Sequence, residues 1–291
     1  MLVLKVKIIK FIKCLWKAVY DAIQHDGIEH AGYISFLLML TIFPFLVFFV
    51  AIVGFFGEKS LSDILVHLIL SSSWAGFIDS LKPRIIEITS SPPQSLLTLA
   101  ILSAIWTASS IFEALRTTLN RAYRVSSPPS YIWRRMFSIL EFAVAITITL
   151  GFVLTLIIVP PLMQLLSTFL KIKPYFGTNY FSPEFDDIRF MLVYLFTFLL
   201  VTFIYYTLPN RKQHFLKMIP GALLVLISWI TFSKLFTYYL SNFPQVNVIY
   251  GSIAGVIISL LYFYFCSIIF IVGAEFNYQL ERTFYRTRKQ K

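Results

Sequence analysis

Charge is scarce in this 291-residue chain: Asp, Glu, Lys and Arg make up only 13% of it. An ordinary soluble domain carries about 25%. Too little polar surface remains to coat a water-soluble body of this size, so lipid must cover much of it. Cysteine is scarcer still. Cys14 and Cys266 are the only two, which excludes a disulfide framework and any paired-thiolate metal site. No G-x-x-x-x-G-K-[ST] occurs, so the chain has no P-loop for ATP, and neither H-E-x-x-H nor G-x-S-x-G is present. His25, His30, His67 and His214 are scattered. His25 and His30 lie among Asp21, Asp26 and Glu29, at a spacing that matches no metal-ligand pattern. No catalytic constellation is visible, and neither an enzymatic role, a cofactor nor a metal is expected.

What is abundant is apolar. Hydrophobic residues are 58% of the chain and aromatics 18%, and the mean hydropathy is +0.76. A helix rises 1.5 Å per residue, so about 20 apolar residues cross a bilayer core. The uncharged runs predict an all-α, polytopic membrane protein with six spans, near 32–56, 95–115, 137–160, 189–208, 217–240 and 250–275. The runs are continuous, not alternating with period two, which argues against a β-barrel. Pro160-Pro161 is expected to kink or end the third span. The whole chain, 1–291, reads as one membrane domain, with a basic segment 1–30 ahead of the spans and a basic tail 276–291 behind them.

The net charge of +11 invites a nucleic-acid reading, but the placement of the cations argues for topology. Segments 1–30, 114–136, 209–217 and 280–291 hold 18 of the 25 Lys and Arg residues, whereas the alternate segments 57–95, 171–187 and 241–249 hold five. Cytoplasmic loops carry the basic excess. Both termini are therefore expected in the cytoplasm of a cytoplasmic (inner) membrane, with anionic lipid, not nucleic acid, as the partner of the basic face. Within 1–30, Lys10, Lys13 and Lys17 share a helical face while Ile9, Ile12, Leu15, Trp16 and Val19 lie largely elsewhere. This is the pattern of an amphipathic helix lying on the inner leaflet. The apolar N-terminal residues are interrupted by Lys5, Lys7, Lys10, Lys13 and Lys17, so no cleavable signal peptide is expected.

Ionisable residues at span depth are costly and mark candidate sites. Five stand out: Glu113 and Arg116 ending the second span, Glu141 early in the third, Lys234 in the fifth and Glu275 ending the sixth. Arg116 lies one turn after Glu113 and can pair with it. Arg134 and Arg135 are expected to reach Glu141 or Glu275, and Lys234 to snorkel outward. A polar pathway and interfacial ion pairing both fit these positions. Gly251 and Gly255 form a G-x-x-x-G that permits close helix approach, and Pro44 frees a backbone carbonyl inside the first span. Small-residue faces of this kind also suit a homo-oligomer.

Three stretches carry a family resemblance. The first runs from Gly32-Tyr33-Ile34-Ser35-Phe36 to Ile42-Phe43-Pro44. The second is Trp106 to Leu115, leading to Leu119-Asn120-Arg121-Ala122-Tyr123. The third joins Tyr206-Thr207-Leu208-Pro209-Asn210, Ile219-Pro220-Gly221-Ala222, Val248-Ile249-Tyr250-Gly251-Ser252 and Gly273-Ala274-Glu275-Phe276-Asn277. In this order they resemble the YihY/BrkB family of inner-membrane proteins, with Tyr262 where the family pattern has Trp. The resemblance implies six spans and marks Pro44, Asn120, Tyr123, Pro209, Asn210, Pro220, Gly221, Tyr250, Gly251, Gly273 and Asn277 as motif positions. It supplies no settled activity. Members have carried the label ribonuclease BN, but this sequence shows neither an acidic metal cluster nor His-x-His-x-Asp-His. A transporter-like role, moving lipid or another amphipathic substrate, is the leading expectation. A structural or assembly component of the envelope is the alternative, and a membrane-bound ribonuclease is more distant.

Overall fold

The computed structural model describes residues 2–56, 94–126, 129–170, 183–242 and 254–285. These residues are almost all helical, joined by short turns, with no strand among them. In chain order the helices are α1 (Leu2–Gln24), α2 (Gly27–Phe56), α3 (Gln94–Ala122), α4 (Tyr131–Leu170), α5 (Pro183–Thr207), α6 (Ile219–Asn242) and α7 (Ala254–Leu280). A 3₁₀ turn, Phe215–Lys217, leads into α6, and a π-helical turn, Glu281–Tyr285, follows α7. Among the described residues, four stretches are long and apolar enough to cross a membrane: Tyr131–Val153, Arg189–Thr207, Ile219–Asn242 and Ala254–Phe284. Gly27–Ile42, the first part of α2, is apolar as well. The chain is an all-α, multi-pass membrane protein.

Local chemistry sets the helix ends. Pro183 opens α5 and Pro220 sits in the first turn of α6, where a missing N–H costs nothing. Pro209, two residues beyond Thr207, follows the end of α5. α3 closes in a Schellman turn: Val125 N–H donates to the Asn120 carbonyl at 2.8 Å and Arg124 N–H to the Arg121 carbonyl at 3.0 Å. The left-handed position of that turn, normally glycine, is Arg124 at φ 57°. Two expectations change. α4 does not end at Pro160-Pro161 but continues to Leu170, because two lost backbone bonds do not break a helix whose apolar residues continue on both sides. α7 does not give way to a tail at 276: Phe276, Asn277, Gln279 and Leu280 are buried, because α1 and α6 cover that end of the helix.

α7 is the hub, packing against α1, α2, α3 and α6, while α3 also packs on α4 and α5 on α6. The core gathers at one end of this bundle. Leu119, Tyr123, Tyr205, Leu208, Met218, Val225, Phe270 and Ala274 form one cluster, and Ala31, Ile34, Leu37, Ala114 and Ile271 another. α1 adds a third through Cys14 and Ala18 against Phe276 and Leu280. The amphipathic expectation for α1 resolves into three faces. Cys14, Ala18 and Ala22 turn inward, Lys10, Lys13 and Lys17 form an exposed stripe, and Ile9, Ile12, Trp16, Val19 and Ile23 form an exposed apolar face. At 100° per residue the three sets occupy separate arcs, which leaves an apolar arc for lipid beside a cationic flank.

Candidate functional site

The packed end of the bundle also holds the ionisable side chains, and they form three linked groups. The first is built around Arg124. Because α3 ends in a left-handed residue, the Arg124 side chain turns back over the helix terminus and donates to the carbonyls of Arg121 (3.0 Å) and Ala122 (2.5 Å). It also makes a two-pronged pair with Glu275, at 2.8 and 3.0 Å, and reaches Asp21 of α1 at 3.3 Å. Glu275 is 1% exposed. A carboxylate so buried is stable only when paired and hydrogen-bonded. The Arg124 guanidinium lies 4.7 Å from the Tyr278 ring centroid. His25 Nδ1 stands 3.8 Å from Glu275, and Gln279 hydrogen-bonds Asp21. One guanidinium thus ties α1, α3 and α7 together.

The second group lies between α3, α4 and the end of α5. Arg116, 2% exposed, pairs with Glu141 and donates to the Leu208 carbonyl at 3.1 Å. Glu113 stands 4.0 Å from Arg116, accepts from Ser138 at 3.1 Å and lies 3.5 Å from Arg134. Arg135 donates to Ser110 (3.1 Å) and to the Trp106 carbonyl (3.0 Å), with its guanidinium 4.4 Å from the Trp106 ring centroid. The third group is on the α5–α6 link, where Arg211 and Lys217 both pair with Glu281.

The motif residues build the frame that holds these groups. Asn120 and Asn210 clasp each other: Asn120 Nδ2 donates to Asn210 Oδ1 at 2.8 Å, and Asn210 N–H to Asn120 Oδ1 at 2.7 Å. Asn277, 1% exposed, caps α6 from a neighbouring helix. Its Oδ1 accepts from Gly221 N–H at 2.7 Å and its Nδ2 donates to the Met218 carbonyl at 3.1 Å. Gly221 N–H lies in the first helical turn, which leaves such donors without an intrahelical acceptor. Tyr123 donates to the Met218 sulfur at 3.3 Å. Burial pushes its phenol above the ordinary tyrosine range, so it stays a neutral donor. Gly221 and Gly273 bring α6 and α7 together. A Cβ on Gly221 would strike the Gly273 carbonyl and the Asn277 amide, and one on Gly273 would lie 2.6 Å from Tyr205 Oη. That hydroxyl donates to the Phe270 carbonyl at 2.5 Å.

Four of the five candidate charges, Glu113, Arg116, Glu141 and Glu275, therefore belong to this end of the bundle. Lys234 does not: it is exposed on α6, 15 residues beyond Ile219, the first residue of that helix. The expected partners are also corrected. Arg134 and Arg135 reach Glu113 and Ser110, not Glu141 or Glu275, because α4 runs beside α3 and faces it in that register. Glu141 takes Arg116 and Glu275 takes Arg124. Pro44 lies inside continuous helix α2, while Tyr250 and Gly251 lie outside the described residues, as does segment 57–93. Sequence reasoning treated Arg124 and Arg211 as loop charges. Nothing in a local pattern shows that a non-glycine residue will close α3 in the left-handed conformation.

Comparison with known proteins supports the same grouping. The family described as Virulence factor BrkB matches residues 18–291. The chain is 28% identical over 261 residues to the ribonuclease-like protein YfkH of Bacillus subtilis, covering 89% of this chain and 91% of that one. It is 26% identical over 259 residues to a UPF0761 membrane protein of Alteromonas mediterranea, covering 87% and 83%. A UPF0761 membrane protein of Vibrio vulnificus is 23% identical over 258 residues, covering 87% and 77%. No solved structure matches. The motif residues named above and the match over nearly the full length agree: the chain belongs to the BrkB family of membrane proteins.

Proposed function

We propose that the protein is transporter-like and handles lipid or another amphipathic substrate from the inner leaflet of a cytoplasmic membrane. The packed, ion-paired end of the bundle then faces the cytoplasm with both termini, in keeping with the basic excess of its segments. One observation carries the reading: Glu275, 1% exposed within the last apolar helix, is held by an arginine in a strained backbone conformation that also binds α1. A buried charge of this kind is costly, and so is a non-glycine residue at φ 57°. Together they make a junction of three helices whose release would let α1 move relative to α3 and α7.

The test is translocation of a fluorescent phospholipid in liposomes containing purified protein, beside Glu275→Gln and Arg124→Ala. Wild type is expected to move lipid faster than protein-free liposomes, and both variants to change that rate while remaining folded. A wild-type rate equal to that of protein-free liposomes, across several headgroups, overturns the reading.

A further inference from the structure

The ends of α3 and α7 and the α5–α6 link enclose an open recess of about 500 Å³. That size is within the range of small-molecule sites, roughly 300–1,000 Å³. Its wall carries Arg124, Arg211, Lys212 and Arg282 against a single acid, Glu281. Glu281 is already engaged by Arg211 and by Lys217. Arg124 is answered from behind by Glu275 and Asp21. Lys212 and Arg282 are exposed, and no ion pair joins either of them to another described residue. The recess therefore gathers more positive charge than its own carboxylate neutralises.

Two of its guanidiniums are also held in place. Arg124 stacks over Tyr278 at 4.7 Å and Arg211 over Tyr123 at 5.1 Å. Arg124 spends its fork on Glu275, so of these two Arg211 is the guanidinium with donors left for a tetrahedral oxyanion, and a guanidinium already held needs little further ordering to bind one. Lys212 and Arg282 stand on the same concave wall with no acid paired to either among the described residues, and an entering anion would offset their charge.

We propose that this recess binds a phosphate group, with Lys212 and Arg282 as its free cations and Arg211 as the oriented fork beside them. The inference rests on the lipid-handling reading for the source of the phosphate, not for the geometry that holds it. The phosphate can come from a lipid headgroup or from free phosphate, and the experiment separates the two.

Binding is measured on the full-length protein in a phosphate-free maltoside detergent, where nothing is translocated. A failure here leaves the liposome result standing, and the reverse holds too. The probes are short-chain phosphatidic acid, short-chain diacylglycerol and inorganic phosphate, each at low and at raised salt. Phosphatidic acid is expected to bind, diacylglycerol not to, and raised salt to weaken the binding. The double variant Lys212→Ala/Arg282→Ala should lose about tenfold or more in affinity. Lys234→Ala, an exposed cation elsewhere, should lose nothing. Competition by inorganic phosphate supports the site with free phosphate as a ligand, and its absence supports the site with the headgroup as source. If no phosphate-bearing probe binds, or if the double variant binds as wild type does, the proposal falls. Both substituted residues are exposed, so a melting temperature unchanged within about 2 °C confirms that the variant is folded.

Discussion

Replacing Asn277 tests whether the α6 terminus depends on a cap supplied by α7. In wild type the Asn277 amide satisfies Gly221 N–H and donates to the Met218 carbonyl. Met218 also accepts from Ala222 N–H at 3.1 Å, so it keeps a partner when Asn277 is removed. Gly221 N–H is left with none from that side. An orphaned buried donor costs roughly 1–3 kcal/mol, and the lost amide–carbonyl bond about 1 more. Asn277→Leu keeps the side-chain volume and removes only the polar groups, whereas Asn277→Ala removes both. The Leu variant should therefore be less stable by about 2–4 kcal/mol, and the Ala variant by somewhat more for the cavity. At roughly 2–4 °C per kcal/mol for a chain of this size, the melting temperature in mild detergent should fall by about 4–16 °C. If Asn277→Leu melts within about 1 °C of wild type while Asn277→Ala is destabilised, packing and not capping explains the residue, and the reasoning fails.

The remaining predictions follow from the same frame. Gly221→Ala and Gly273→Ala should each lower the melting temperature, because each Cβ meets packed backbone or side chain; Gly32→Ala and Gly151→Ala have open space and should be neutral or stabilising by up to about 1 kcal/mol. Arg124→Ala should destabilise by about 3 kcal/mol by stranding Glu275, and the double variant Arg124→Ala/Glu275→Gln should recover at least about 1 kcal/mol of that in a thermal-melt cycle; strictly additive losses would contradict the pairing. Lys234→Ala, at an exposed position, should shift stability by no more than about 0.5 kcal/mol, and a larger loss would place that lysine in a network the structure does not show.

The helical, multi-pass architecture was legible in the sequence because lipid leaves few alternatives. A run of about 20 apolar residues in such a solvent must be helical, so the runs themselves specify the helical class. Family membership was legible for a different reason. Asn120, Tyr123, Asn210, Gly221, Gly273 and Asn277 sit at fixed positions in the chain, and the structure shows what holds them there: they clasp or cap one another across helices. Of the two outcomes expected at Pro160-Pro161, a kink or an end, the end does not occur, because a local stop rule cannot see the apolar helix continuing past it.

Pairing was the part that local reasoning could not supply. Charges along one helix interact at three or four residues' spacing, and that rule finds Glu113 with Arg116, at a loose 4.0 Å. The tighter partners are remote in sequence. Glu141 and Arg116 are 25 residues apart, Glu281 and Arg211 are 70 apart, and Glu275 and Arg124 are 151 apart. Which cation meets which acid depends on which helices are neighbours and in what register, and apolar runs specify neither. This matters for function, because apolar surface gives helices little reason to prefer one another within lipid. Polar clasps and ion pairs then carry much of the choice of neighbour. A bundle that gathers them at one end is fixed there, and on the transporter-like reading proposed above a motion that exposes a path for a substrate would begin by breaking or sliding one of those junctions. Of the three ionic groups, the Arg124 junction alone joins α1, with its exposed apolar face, to the core helices and also lines the cationic recess, so on the reading proposed above it is the place where ligand charge and helix movement would be coupled.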